Sequence, residues 1–211
     1  MREQALLDAW NTALAAPPGW RPAALVGALE ALPWTELAEW TAGRVNGRLL
    51  ELHAALFGPA LEGVTRCPAC ATAVELALPV ATLQAIPALP APADQPVPTL
   101  GRLWQAFAAD SDAAALDDLL GAAADATDLE AAWAAADPLA VAELALTCPA
   151  CGHRWPEEAD LGPFVWRKVD AWAESLLDDV ALLARAYGWR ESDVLALPPA
   201  RRRRYLERAW A

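Results

Sequence analysis

The stretches Cys67-Pro-Ala-Cys70 and Cys148-Pro-Ala-Cys151 decide the fold of this 211-residue chain, because they hold its four cysteines as two Cys-x-x-Cys pairs. We call residues 67–70 the first knuckle and residues 148–151 the second knuckle. Two thiolates at this spacing on a tight turn point at one tetrahedral metal ion, and four thiolates fill its shell. A closed shell is typical of structural zinc, so we predict one zinc ion bound by Cys67, Cys70, Cys148 and Cys151.

The residues beside each knuckle indicate a small β-structure. A strand-like run follows the first knuckle at 72–78, and another precedes the second knuckle at 141–146. Gly152 follows the last cysteine, where a knuckle often needs a positive φ, whereas the first knuckle has Ala71 there. The sequence therefore predicts a split zinc ribbon, with two distant halves and short β-strands.

Three other interpretations of the cysteines fit less well. A redox dithiol needs one Cys-x-x-Cys, at the start of a helix in a βαβ setting. Two disulfides require export, and the chain starts with an amphipathic helix rather than a signal peptide. Independent structural thiols leave the repetition unexplained. His153 lies near the second knuckle, but four cysteines already fill the shell, so we expect it to be a neighbour of the site.

Composition indicates a folded protein. The chain is 56% hydrophobic with a mean hydropathy of +0.18, which argues against disorder. No apolar run approaches the roughly 18 residues that a membrane span needs. We therefore expect a soluble, cytoplasmic protein, either free or incorporated into an assembled particle.

Charge is spread unevenly along the chain. The net charge is −12, but residues 161–211 hold nine basic and seven acidic side chains, so the other 160 residues are strongly acidic. An acidic body repels phosphate backbones, which argues against nucleic-acid binding unless the C-terminal end acts alone. The chain also has 11 tryptophans, which suit both cores and protein interfaces.

Proline and the helical period divide the chain into regions and give a mostly helical α+β fold. The clearest helix is predicted at 42–57 and the longest at 163–187. Three helices are predicted in the inserted block, the second of them carrying Leu116, Leu119 and Leu120. The regions are a helical N-terminal region (1–62), the split ribbon (63–78 and 139–160), a proline-rich linker or strap (79–98), an inserted helical block (99–138) and a helical C-terminal region (161–211).

No catalytic grouping is visible in the sequence. The two histidines are His53, which lies mid-helix beside an apolar stripe, and His153. Neither belongs to a serine–histidine–acid arrangement, and there is no glycine-rich phosphate loop. We therefore expect a non-enzymatic protein without a small-molecule substrate, in which His53 is structural.

The C-terminal sequence carries a resemblance to a known family. The run from Trp172 to Trp189, then Asp193-Val-Leu-Ala-Leu197, then Arg201-Arg-Arg-Arg-Tyr-Leu206 resembles a pattern common in small proteins of contractile-tailed phages. The pattern also occurs in related extracellular contractile injection systems. The longer members of this family look like the chain almost from end to end, with two Cys-Pro-x-Cys knuckles and a helical middle that reaches Asp137-Pro138. Ala71 and the acidic, alanine-rich middle depart from the pattern.

This resemblance implies a role in baseplates. It points to baseplate hub or baseplate assembly proteins, which are either built into the particle or help to build it. The implied partners are baseplate or hub proteins of a contractile particle. The candidate partner-binding residues are the arginines on one side of the last helix and the nearby tryptophan: Arg201, Arg204, Arg208 and Trp189.

Two other functions remain open at this point. A zinc-ribbon regulator could bind nucleic acid through the basic C-terminal helices, against the net charge of −12. A dithiol oxidoreductase would use the cysteines without a stable metal. The basic helix end also has a simpler interpretation, in which its arginines are only solvated.

Overall fold

The computed structural model describes residues 3–91, 96–108 and 126–209. It is mostly helical, with two small antiparallel sheets. The chain divides into two compact units. Unit 1 comprises Met1–Glu30 and Trp166–Ala211, and unit 2 comprises Ala31–Val165. The predicted helix of Leu116, Leu119 and Leu120 lies outside the described residues.

The elements follow the chain in a simple order. A 3-10 turn, Pro18–Trp20, separates the first two helices. In chain order the elements are α1 (Glu3–Leu14), α2 (Arg21–Glu30), α3 (Trp34–Leu37), α4 (Ala42–Phe57), β1 (Ala60–Arg66), β2 (Ala73–Pro79), α5 (Val80–Gln84), α6 (Leu100–Ala108), α7 (Ala126–Ala136), β3 (Ala142–Thr147), β4 (Arg154–Ala159), α8 (Leu161–Tyr187), α9 (Glu191–Leu195) and α10 (Pro199–Ala209).

Unit 1 buries the apolar faces of its helices and ties them together through polar side chains. The Trp10 indole of α1 donates to the Asp170 carboxylate of α8 at 2.8 Å. Arg202 of α10 is only 7% exposed, and its guanidinium donates to both carboxylate oxygens of Glu3 at 2.6 and 3.0 Å. It also lies 3.3 Å from Asp179. A buried arginine thus joins α10 to α1 and α8.

In unit 2, α4 buries one of its faces. Its predicted bounds are those observed, and Thr41 caps it by accepting a hydrogen bond from the Arg44 backbone. Of the apolar stripe predicted from the helical period, Val45, Leu49 and Leu52 are buried and Leu56 is half-buried. His53, on the same helix, is 0% exposed and packs its ring against Phe57 and Phe164, as expected for a structural histidine.

Each knuckle forms the turn of its own β-hairpin. β1 pairs with β2 from Ala60↔Pro79 to Arg66↔Ala73, and β3 pairs with β4 from Ala142↔Ala159 to Thr147↔Arg154. The sequence predicts one strand beside each knuckle, whereas the structure has two strands for each knuckle, one before it and one after it. The additional strands are β1 and β4.

The two hairpins belong to a longer internal repeat of unit 2. α4, β1, β2 and α5 correspond to α7, β3, β4 and the start of α8 at an offset of 81 residues. Equivalent positions are buried in both copies, as the pairs Leu61 and Ala142, Val74 and Trp155, and Val80 and Leu161 show. The repetition of the knuckles is therefore the visible part of a repeated helix–hairpin–helix unit.

The proline-rich stretch 79–98 differs from its predicted extended form at its beginning. Pro79 stands at the N-cap of α5. Residues 81–86 contain no proline, so a short helix can form there. Residues 86–90 beyond α5 are exposed, and the Leu89 N–H donates to the Ala135 carbonyl at 2.8 Å. No helix among the described residues is long and apolar enough to cross a membrane.

Candidate metal centre

The backbone of each hairpin turn positions its cysteines in the same way. In the first knuckle, Cys67 N–H donates to the Thr72 carbonyl at 2.9 Å and the Cys67 carbonyl accepts from Ala71 N–H at 2.8 Å. In the second, the corresponding bonds join Cys148 to His153 at 2.8 Å and to Gly152 at 3.0 Å. The first cysteine of each pair thus sits at the base of a closed turn.

The residue after each knuckle has a left-handed backbone. Gly152 has a φ of 73°, as the sequence predicts, and Ala71 has a φ of 59° at the equivalent position. Glycine adopts this region without steric cost, whereas alanine is strained there. The first knuckle therefore makes the same turn as the second despite an unfavourable residue.

The four cysteine sulfurs converge on one point. All four Sγ atoms lie within 4.8 Å of one another. Two contacts between sulfurs cross from one hairpin to the other, at 3.7 Å from Cys67 to Cys151 and 3.6 Å from Cys70 to Cys148. These separations exclude disulfide bonds, and the four cysteines are free.

The spacing of the sulfurs fits a four-coordinate metal ion. Sulfurs at about 2.3 Å from a central zinc ion form a tetrahedron with edges of about 3.8 Å. The measured cross-hairpin distances of 3.7 and 3.6 Å are close to that edge. The cluster can therefore hold a metal ion with two ligands from each knuckle, and among the described residues His153 is not part of it.

The thiols of the cluster differ strongly in acidity. Hydrogen bonds with the side chain and the backbone of Thr72 lower the pKa of the Cys70 thiol from 9.0 to about 6. At Cys151 a hydrogen bond with the His153 backbone favours the thiolate, but bonds with the neighbouring thiols and burial raise its pKa to about 12. Four sulfurs this close do not all carry negative charge without a cation, because like charges repel.

A small apolar cluster shields one side of the site. Cys67 and Cys148 are buried with Val74 and Trp155, and Leu76 and Leu146 pack against this group. Cys70 and Cys151 are exposed. The site thus lies at the surface of unit 2, above the apolar contact between the two hairpins.

Glu157 braces the two hairpins beside the cysteines. Its carboxylate accepts from the Trp155 indole at 2.9 Å on the same strand, and from the Thr65 hydroxyl of β1 at 3.1 Å. His153 stacks on Trp155 with the ring centroids 6.0 Å apart. Sequence patterns do not reveal this brace, because Glu157 can be assigned to the inward side of β4 only once β4 is known to be a strand.

The predicted partner residues lie on unit 1. Arg201, Arg204 and Arg208 are exposed on α10, and Trp189 is half-buried. Arg202, from the same arginine run, instead forms the buried ion pairs with Glu3 and Asp179. Its spacing of four residues from Leu206 marks the inward face of α10 and could have identified it.

Comparisons with protein-family models, with curated proteins and with solved structures found no match to this chain. The arrangement of the described residues therefore carries the functional interpretation.

Proposed function

We propose that this protein is a non-enzymatic structural or assembly factor for the baseplate of a contractile, phage-tail-like injection system, held together by a structural four-cysteine zinc site. The convergence of four thiols from two hairpins carries the zinc part of this proposal. The resemblance of the chain to baseplate hub and assembly proteins supports the other part.

Zinc suits this donor set. It accepts four thiolates tetrahedrally, and a shell closed by protein ligands leaves no position for a substrate or an activated water. Thiolate ligands from residues 67–70 and 148–151 would convert metal-binding energy into folding energy of unit 2. The role of the metal is then to fix one hairpin against the other.

The residues that carry the family resemblance have defined contacts in unit 1. Tyr187 and Trp189 stack with their ring centroids 4.9 Å apart, and both contact the Tyr205 ring. Arg202 holds Glu3 and Asp179. The residues of the pattern thus hold the helices of unit 1 together. This structural role favours a scaffold protein over an enzyme.

Metal analysis tests the zinc site. We expect one zinc per chain by elemental mass spectrometry of the purified protein, and loss of the zinc in Cys148→Ser. Ala150→Ser, an exposed position in the same knuckle, is the control and should retain zinc. Iron in place of zinc, or full zinc content and normal folding in Cys148→Ser, would contradict the proposal.

Mass spectrometry of particles tests the baseplate role. Two samples from the native host are compared: intact contractile particles and a pull-down of this protein from lysate. Stoichiometric presence in particles indicates a component, and capture of baseplate subunits only in lysate indicates an assembly factor. If neither occurs, the family inference fails, and a mobility shift of nucleic acid with the full chain tests the zinc-ribbon regulator instead.

A further inference from the structure

An aromatic cluster lies at the surface of unit 1, where the turn after α8 meets α10. Trp189 stacks on Tyr187 at an interplanar angle of 28° and meets Tyr205 edge-on, with centroids 4.8 Å apart. Tyr187 is still 38% exposed, and Trp189 and Tyr205 are half-buried. The rings thus hold one another in fixed orientations while part of their area faces outward.

Three exposed arginines share the side of α10 that carries Tyr205. At 100° per residue, Arg201, Arg204 and Arg208 fall within about 60° of one another, and Tyr205 lies beside Arg201. Within 3–91, 96–108 and 126–209, the ion pairs formed include neither Arg201 nor Arg204. Arg208 donates to the Arg204 carbonyl at 2.7 Å, which keeps its guanidinium along this side of the helix.

The other two arginines of the run point elsewhere. Arg202 is buried in its ion pairs with Glu3 and Asp179. Arg203 is exposed on the side of α10 opposite Arg201, about 160° away. We call the surface formed by Tyr187, Trp189, Arg201, Arg204, Tyr205 and Arg208 the aromatic–arginine face.

We propose that the aromatic–arginine face docks an acidic amphipathic segment of a partner protein. Tyrosine, tryptophan and arginine are the residues that most often dominate binding energy at protein interfaces. Guanidinium groups bind carboxylates through paired hydrogen bonds, and preordered rings accept apolar side chains with little loss of conformational entropy. Carboxylates of the segment contact the arginines, and its apolar side chains cover Tyr187 and Trp189.

Charge favours a protein over a nucleic acid as the occupant. The excess of positive charge is confined to the C-terminal region, because residues outside 161–211 supply 21 of the 28 acidic side chains. A nucleic acid longer than this face would be repelled by the acidic remainder of the protein. A short acidic segment would contact the face alone and avoid that repulsion. The partner's membership of a baseplate rests on the proposed function, but the face itself is defined by unit 1 alone.

Binding of a defined probe to the full zinc-loaded chain tests the face. The probe is a short fluorescein-labelled peptide that alternates Glu and Asp with Leu and Trp, measured by fluorescence anisotropy at low and physiological salt. We expect salt-sensitive binding, weakened at least about tenfold by the combined substitutions Arg201→Glu, Arg204→Glu and Arg208→Glu. Arg203→Glu, on the opposite side of the same helix, should weaken binding by less than about twofold.

Three results would overturn the docking proposal. They are absence of salt-sensitive binding, equal binding by the triple variant with a native circular dichroism spectrum, and tighter binding of single-stranded DNA that the same triple variant abolishes. Trp189→Phe gives a second test without charge change, since a smaller ring should reduce affinity for the peptide while the unfolding temperature stays close to that of the wild type.

The particle experiment separates this proposal from the proposed function. If wild-type protein associates with baseplate proteins and the triple variant does so equally, the docking face is wrong and the proposed function stands. If wild-type protein never associates with them, the proposed function fails, and the peptide measurement still decides the face.

Discussion

At the residue scale, the Asp137 carboxylate anchors unit 2 without any metal. It accepts from the Gly43 N–H at 2.9 Å, in the first turn of α4, where free N–H groups and the helix dipole favour an anion. Asn46, one turn on, donates to the Leu139 carbonyl at 2.7 Å. These bonds join positions more than 90 residues apart and set the start of the second hairpin against α4. Sequence patterns show Asp137-Pro138 only as a helix end, because its partner is distant in the chain.

Gly43→Ala should destabilise the protein by about 1–3 kcal/mol, because an added Cβ would lie 1.8 Å from Asp137 Oδ1. Gly47→Ala in the same helix is the matched control. Its Cβ would make an ordinary contact at 3.6 Å with Leu139 and gains helix propensity, so we expect stabilisation of about 0.5–1 kcal/mol. Urea unfolding measures both, and equal effects would contradict the role of Asp137.

The two carboxylates around Arg202 should respond differently to neutralisation. Burial raises the pKa of Asp179 from 3.8 despite the attraction of Arg202, so its ionised form is less favoured in the folded protein. The contribution of Asp179 to the free energy of unfolding is most favourable below pH 3.8 and is lost as pH rises through the folded-state pKa. At pH 7 we expect Asp179→Asn to keep or raise the unfolding temperature.

Glu3→Gln is the comparison for this prediction. Glu3 forms both short hydrogen bonds to Arg202, so its neutralisation should lower the unfolding temperature at pH 7. The difference between Asp179→Asn and wild type should vanish near pH 3. If Asp179→Asn lowered the unfolding temperature as much as Glu3→Gln, Asp179 would be as important a partner of Arg202 as Glu3, which would contradict this prediction.

At the element scale, the two hairpins have similar geometry, but in each of them the sequence predicts one strand clearly and the other weakly. The helix α4 and the strands beside the knuckles follow from periodicity, and the convergence of the cysteines follows from their spacing. β1 and β4 carry weak patterns, since β1 contains Gly63 and β4 contains Pro156. They form because each pairs with a neighbouring strand through a tight turn, and a proline is tolerated in an edge strand.

Substitutions at the equivalent positions Ala71 and Gly152 should have opposite effects on stability. Gly152→Ala should cost about 1–2 kcal/mol from its φ of 73° alone, because no atom lies within 4 Å of the added Cβ. Ala71→Gly should stabilise by at most about 1 kcal/mol, since relief of strain is partly offset by the greater freedom of the unfolded chain. Urea unfolding of the zinc-loaded variants measures both. Stabilisation by Gly152→Ala would refute the strain argument.

The Glu157 brace should contribute to metal affinity. Glu157→Ala removes the hydrogen bond that Thr65 donates across the hairpins, and we expect zinc affinity to fall roughly tenfold. Glu158→Ala is the control, because Glu158 is exposed on the other side of β4. Competition with a chromophoric chelator gives both affinities. If the two variants bind zinc equally well, the brace does not support the site.

At the scale of the whole molecule, the candidate metal centre belongs to one unit only. Residues 67–70 and 148–151 both lie in unit 2, whereas the ion pairs of Arg202 and the aromatic–arginine face lie in unit 1. The 81-residue repeat gives unit 2 two similar halves, which the metal would join. Sequence indicated the repeated knuckles, but the repeat around them became apparent only from the matching order of helices and strands.

Metal removal should therefore act locally. After chelation, we expect amide hydrogen exchange to accelerate in β1–β2 and β3–β4, while amides of α1 and α10 keep their protection. Mass spectrometry of exchanged, proteolysed protein with and without chelator measures this. The N-terminal turns of α4 should also stay protected, because Asp137 holds them. Equal loss of protection in both units would contradict a local role for the metal.

The long separations of the contacting residues impose an order on folding during synthesis. The cross-hairpin sulfurs belong to residues 78 and 84 positions apart, and Arg202 follows Glu3 by 199 positions. At a synthesis rate of about 5–20 residues per second, several seconds pass between synthesis of the first knuckle and synthesis of the second knuckle. During that interval only half of the thiol ligands exist. Unit 1 closes later still, when Arg202 emerges, so unit 2 can complete its metal site before the two ends of the described chain meet.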